Sequence, residues 1–156
     1  MGNRAHIQIP GADASIYLHY TGSIESVLAV IDTARERELL GHNPEYSLAT
    51  LAAAFRVELG FKDGLSMGIE SAFNLEKIDW VELNNGLYIV SAGGELLARW
   101  ISRPGMSSIP VELDPAELAR QVAAARSSDA YIARRARLNA KMNAVNETPA
   151  QLELAI

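Results

Sequence analysis

The side chains best suited to chemistry gather in residues 3–22, where apolar and polar residues alternate on both sides of Pro10-Gly11-Ala12-Asp13. Alternation around a turn reads as a β-hairpin. With Ala12-Asp13 at the tip, Ile9 faces Ile16, Ile7 faces Leu18 and Ala5 faces Tyr20, giving one apolar face. The other face carries Arg4, His6, Gln8, Tyr17, His19 and Thr21, with His6 opposite His19. Two facing imidazoles are the start of a metal site, and His42 or a carboxylate would have to complete the three protein ligands of catalytic zinc. No spacing designates that third ligand, so neither a metal nor another cofactor is expected. His19-Tyr20-Thr21 is also a single H-x-T element, and a strand would set its imidazole and hydroxyl on one face to hold a phosphate. Two-histidine phosphoesterases use two such elements, one histidine as base and one as acid. Here His6-Ile7-Gln8 lacks the hydroxyl. The plainer alternative is a hydrogen-bonded, partly solvated strand pair.

A second candidate set is basic. Arg120, Arg126, Arg134, Arg135, Arg137 and Lys141 fall within residues 115–145, and spacings of fourteen and seven put Arg120, Arg134 and Lys141 on one helical face. Such a stripe is able to follow a phosphate backbone. The charge balance argues otherwise: residues 1–114 sum to −7, 115–145 to +4 and 146–156 to −2, for a net charge of −5. A sequence pI near 5.2 and Tyr131 as the sole aromatic of the segment are unlike a nucleic-acid binder. The stripe is better read as facing the acidic body, a second subunit or an acidic partner.

Cysteine is absent, which removes disulfides, thiolate nucleophiles and cysteine zinc sites. Composition leaves Ser/His/Asp hydrolysis open, but no nucleophile elbow is read from the chain. Gly64, Gly68, Gly93 and Gly94 match neither a dinucleotide-binding nor a Walker A loop. No apolar run approaches the ~20 residues of a membrane span, and the first residues lack the plan of a secretion signal. A cytoplasmic protein is expected.

Elements that would position these side chains follow from local signals. Ser23 is an N-cap for a helix to about residue 40, with Ile24, Val27, Leu28, Ile31 and Ala34 inward and Glu25, Asp32, Glu36 and Glu38 on the outer face. Gly41-His42-Asn43-Pro44 breaks it before a helix over 47–59, which Gly60 ends as a left-handed cap. Strands are expected over 65–70, 78–83, 87–92 and 95–102, the last three forming a meander through a type I′ turn at Asn84-Asn85-Gly86 and a tight turn at Gly93-Gly94. Both faces of that meander are apolar, so helices on both sides or another chain should cover it. Residues 109–113 form an edge strand limited by Pro110. Asp114-Pro115-Ala116-Glu117 starts a helix that Ser127-Ser128-Asp129 interrupts or re-caps. The expected fold is α+β: an antiparallel sheet of five or six strands, made of an N-terminal hairpin and a central meander, with two inserted helices and a C-terminal helix. One domain should span 1–145, its helix 115–145 able to project, followed by a tail at 146–156.

Asn3-Arg4-Ala5 with Ile7, then Ile16-Tyr17-Leu18-His19-Tyr20, and later Asn85-Gly86-Leu87-Tyr88, resemble a group of small uncharacterised proteins encoded by phages and prophages. That group shows N-R-A-x-I, Y-L-H-W-N-G-G and D-N-G-V-Y. This chain has Tyr20-Thr21-Gly22 in place of Trp-Asn-Gly-Gly, and Asn84 in place of the aspartate. The resemblance spans residues 3–92 and brings no catalytic residues. It implies a mobile-element protein that binds and inhibits a host macromolecular machine, an anti-defence role of which anti-CRISPR action is one form. The expected partner is therefore a host protein complex, with a homodimer also consistent with the apolar meander and no membrane involved. Two other readings stand beside it: a small-ligand binder or phosphoesterase-like enzyme on the His6/His19 face, and nucleic-acid binding through Arg134, Arg135, Arg137 and Lys141.

Overall fold

The computed structural model describes residues 2–60, 67–72, 77–80, 83–102 and 110–147. Among them the strands are β1 (Ala5–Gln8), β2 (Ala14–Leu18), β3 (Met67–Ser71), β4 (Leu87–Val90), β5 (Leu96–Ser102) and β6 (Pro110–Glu112). The helices are α1 (Ile24–Glu36), α2 (Pro44–Leu59), α3 (Pro115–Arg126) and α4 (Asp129–Glu147). One sheet runs β3-β2-β1-β4-β5-β6, antiparallel except where β1 and β4 run parallel. The expected α+β class is the one observed.

The hairpin forms with a different turn. Ala12 N–H donates to Ile9 O at 3.0 Å, and Gly11 takes φ 92° behind Pro10. Proline first and a positive-φ glycine second are the type II arrangement, so Pro10-Gly11 is the tip rather than Ala12-Asp13. The register becomes Ala5↔Leu18, His6↔Tyr17 and Ile7↔Ile16, two residues from the expected one. A two-residue shift preserves which face each side chain occupies and changes its cross-strand neighbour. His6 therefore lies opposite Tyr17, not His19.

Helix α1 begins as expected, with Ser23 Oγ accepting from Ser26 N–H, but it ends earlier than residue 40, where Glu38 turns the chain at φ 57°. Residues 26–34 are all buried, Asp32 among them. Of the expected outer face of α1, Asp32 is covered because α3 and α4 pack across it, Glu25 is half-buried, and Glu36 and Glu38 stay exposed. Helix α2 starts earlier than expected, at Pro44 behind the Asn43 cap. Gly60 ends it at φ 80°, ψ 166°, an extended region open essentially to glycine alone rather than the left-handed helical cap.

The main core brings Ile7, Ile9, Ile16, Leu18, Tyr88 and Val90 of the sheet against Val27 and Ile31 of α1, Leu51 and Phe55 of α2, and Leu138 of α4. These helices occupy one side of the sheet. The opposite side is partly covered by the chain itself, where Ile78, Trp80 and Leu83 pack on Leu87 with Tyr17, Ile89 and Trp100 alongside. Among the described residues this cover comes from Ile78, Trp80 and Leu83, none of which lies in a helix. Residues 78–80 are not strand, and residues 81–82 of the expected strand lie outside the described residues. The meander is built one strand later, as β4-β5-β6. A register shift at Ile89/Val90 pairs Val90 with Leu96 and turns Leu96 into the helix-side core, away from the face of Leu87.

Asn84-Asn85-Gly86 is a turn but not type I′. Gly86 N–H closes on Leu83 O at 3.1 Å, and the positive φ belongs to Gly86 (77°), not to the asparagines. The turn delivers Leu87 to the side of His6 instead of folding a hairpin back. At the C-terminal end Asp114 caps α3 through Ala116 N–H at 2.8 Å. The chain breaks at Ser127-Ser128, and Ser128 Oγ accepts from Tyr131 N–H at 3.2 Å to restart it as α4. There are two C-terminal helices, the second running to Glu147.

Candidate functional site

The polar face of the hairpin carries a row of rings. His6 and Tyr17 lie 5.0 Å apart centroid to centroid, the Tyr17 hydroxyl meets His19 Nδ1 at 3.2 Å, and His19 packs on Tyr20 at 4.3 Å. His6 is only 5% exposed, and burial pushes its imidazole pKa down to about 4. At neutral pH that ring is uncharged, the form a metal ligand or base requires. Among the described residues the rest of a reacting set is not assembled around it. Strand β2 stops at Leu18, so His19 and Thr21 do not share a strand face as the H-x-T reading required, and Thr21 is buried while His19 is half-exposed. His42 sits just before α2, whose Pro44 packs on Gly11 at the hairpin tip, the opposite end from His19. Among the described residues no group of three His, Asp or Glu side chains is disposed to hold a metal ion. Arg4 and Gln8 are half-buried at the two ends of β1, Gln8 opposite Ser15.

The stretch does contain Gly64-Leu65-Ser66-Met67-Gly68, the letters of a nucleophile elbow that the sequence reading passed over. An elbow is a turn from a strand into a helix. Here the order is reversed, since α2 precedes the motif and Met67 and Gly68 open β3, while residues 61–66 lie outside the described residues.

Three of the basic residues of α4, Arg134, Arg135 and Lys141, are turned onto the body. Arg134 pairs with Glu58 at 2.6 Å, and Lys141, one heptad later, donates to Glu58 O at 2.6 Å. Arg135 pairs with Glu36 and lies 5.7 Å over the Tyr131 ring. Arg120 belongs to α3, where it pairs with Glu117 at 2.7 Å; the break at Ser127-Ser128 removes it from the face of Arg134 and Lys141. Arg137 is exposed on α4.

Sequence reasoning missed the most densely bonded group. The Asp32 side chain is 3% exposed. Its Oδ1 accepts from Arg126 Nη2 at 2.9 Å and Arg35 Nη2 at 3.0 Å, and its Oδ2 from Arg126 Nε at 2.8 Å and the Tyr131 hydroxyl at 2.7 Å. Burial alone raises its pKa, but the bonds from Arg126 and Tyr131, with the charges of Arg126 and Arg35, outweigh it and hold the carboxyl below its usual range. All four acceptor positions of a carboxylate are filled, leaving none for a ligand or a proton in transit. Asp32 is a tie between α1 and the C-terminal helices. The available signal was charge content: Asp32 is the sole charged residue of 26–34, as suits a helix buried all round.

A second tie joins the start of β1 to the turn before β4. Arg4 N–H donates to Asn84 Oδ1 at 2.7 Å, Asn84 Nδ2 donates to Gly2 O at 2.7 Å, and Asn85 N–H donates to Arg4 O at 3.0 Å. Gly22 N–H donates to Asn3 O at 2.7 Å, and the buried Tyr88 hydroxyl donates to Gly22 O at 2.9 Å. A Cβ on Gly86 would stand 1.9 Å from Trp100 O, and one on Gly22 2.4 Å from Asn3 O. These positions seat β1 between β2 and β4. Comparison with protein-family models, with curated proteins and with solved structures finds no match to this chain. No helix among the described residues is long and apolar enough to cross a membrane.

Proposed function

We propose that this protein acts by binding rather than by catalysis, as a mobile-element inhibitor that occupies the basic, nucleic-acid-handling surface of a host defence machine. The inward pairing of the C-terminal cations is the observation that carries this reading. Arg126, Arg134 and Arg135 are matched to Asp32, Glu58 and Glu36. Glu38, Glu70, Glu95, Glu112 and Asp129 remain exposed on a chain of net charge −5. An acidic exterior is complementary to a basic channel, and such complementarity speeds encounter and selects partners. The same pairing weighs against α4 tracking a phosphate backbone. A CRISPR effector complex is the partner class to test first, on the strength of the phage-protein resemblance. Expression of the chain in bacteria with an active defence system should restore phage plaquing, and the purified protein should displace fluorescent DNA from the effector, less effectively at high salt. Unchanged plaquing and no displacement, with turnover of a phosphate ester that disappears when His6 and His19 are replaced by alanine, would instead select the enzyme reading.

A further inference from the structure

The two ends of the sheet are not alike. Strand β6 is three residues long and contains Pro110, a residue that blunts an edge. Strand β3 is five residues, Met67-Gly68-Ile69-Glu70-Ser71, and stands last in the sheet with only β2 beside it among the described residues. Ala72 N–H donates to Asp13 O at 2.7 Å, which makes their pair a hydrogen-bonded one. Because such pairs alternate along an antiparallel ladder, Gly68 and Glu70 also turn their backbone groups to β2. Met67 and Ile69 turn theirs outward, and so does Ser71, whose carbonyl also accepts a 3.4 Å hydrogen bond from Ser15 Oγ. Ile69 is 56% exposed, and beside it a groove of about 390 Å³ is lined by Ala14, Glu45, Leu48, Ala49, Ala52 and Ile69 itself.

We infer that this edge pairs with the same edge of a second copy, antiparallel about a two-fold axis at Ile69. In that register Ile69 faces Ile69 of the other copy and Met67 faces Ser71, so all three outward residues of each strand find partners. A two-fold contact must be self-complementary, and this one is. Glu70 then lies across from Gly68, which has open space around it. Moving the axis to Glu70 would oppose two like charges, which is destabilising, and moving it to Gly68 would leave Ser71 outside the described ladder. On the helix side the two Ile69 side chains meet beside the apolar walls of Leu48, Ala49 and Ala52. The strands thereby continue into one sheet across both copies.

Sedimentation of the full chain from about 5 to 200 µM should show a concentration-dependent species of twice the 16.9 kDa chain mass. Ile69→Pro removes an outward N–H and leaves the bonds to β2, so it should weaken association at least ~10-fold while retaining the native circular dichroism. Val111→Lys at the other edge should leave association unchanged. In the wild type, amide exchange at Met67, Ile69 and Ser71 should slow as concentration rises, while Gly68 and Glu70 stay protected throughout. A chain that remains at single mass to about 200 µM overturns the inference. So does a folded Ile69→Pro variant that still dimerises, or exchange at the three outward amides that ignores concentration. Protection that arises only when a host protein is added would assign the edge to a foreign strand. If Ile69→Pro does not fold, the wild-type exchange pattern decides.

Discussion

Replacing Asp32 by asparagine should loosen the C-terminal helices from the body without touching the sheet. The carboxylate is 3% exposed and accepts four hydrogen bonds, three of them from guanidinium groups. Asparagine keeps the shape but presents an NH2 group to donors and removes the charge. Breaking a fully buried pair from one side costs about 3–5 kcal/mol. Arg126 and Arg35 are 41% and 44% exposed, so both rehydrate once released, which lowers the expected loss to about 2–3 kcal/mol. For a chain of this length that is a fall of roughly 5–10 °C in Tm, read by calorimetry or circular dichroism at pH 7. The pH dependence provides a second readout. A carboxyl held below its usual pKa contributes fully above the unfolded value near ~4, and that contribution is lost as pH falls through the folded value. The variant should therefore show a shallower acid limb below about pH 4 than the wild type. An Asp32→Asn protein within about 1 °C of the wild-type Tm, with a superimposable acid limb, would refute the assignment of Asp32 as the tie.

Three further outcomes follow from the same contacts. His6 is neutral when folded, with a pKa near 4, so the wild type should lose stability between its ordinary value of 6.5 and that point, as the unfolded chain takes up the proton. His6→Phe keeps a ring against Tyr17 and should abolish that dependence, up to about 3 kcal/mol by pH 4 in urea titrations; parallel pH profiles would contradict it. Gly86→Ala should prevent stable folding, at least ~3 kcal/mol, since its Cβ would meet Trp100 O at 1.9 Å and the backbone has φ 77°; soluble protein with wild-type Tm would refute this. Leu138→Ala should cost about 2–4 kcal/mol, because Leu138 is the fully buried residue of α4, whereas Arg134→Ala should cost about 1 kcal/mol or less. Equal losses in the two variants would mean that ion pairing rather than burial holds the helix.

What the chain discloses in advance depends on how local its cause is. The Ser23 cap and the Asp114-Pro115 start were legible because the capping groups sit within three residues of the amides they serve, whereas Asn43-Pro44, the same kind of signal, reads in the sequence as part of a break, which places the start of α2 three residues late. The two faces of the hairpin were legible because period-two alternation survives a shift of two residues. The register itself was not, since it rests on whether Pro10-Gly11 or Ala12-Asp13 makes the turn. The parallel β1–β4 pair joins residues some eighty positions apart, and periodicity within either strand carries no information about that partner. Asp32 was misplaced for a related reason. The spacing of apolar residues in α1 locates the sheet side of the helix, but Arg126 and Tyr131, which bury the other side, arrive about a hundred positions later. Arg134 and Lys141 were rightly placed on one face, because one unbroken helix carries both; Arg120 was not, because the break at Ser127-Ser128 resets the rotation.

The polar face of the hairpin and the motifs around it have different meanings. Asn3, Arg4, Gly22, Asn84, Asn85, Gly86 and Tyr88 are bound to one another through backbone hydrogen bonds, or through a glycine that no side chain can replace. Each serves the insertion of β1 between β2 and β4. A pattern composed of such residues specifies how a chain is threaded, and it would be kept by any protein with that threading whatever it bound. Such a pattern bears on architecture and only weakly on what is bound. The proposed binding surfaces then lie where the fold makes no demand: the exposed carboxylates, Arg137 of α4, and the outward edge of β3. Substitutions confined to those positions should alter binding while leaving Tm within about 2 °C of the wild type, and substitutions in the β1 tie should do the reverse, lowering Tm first and binding only through it.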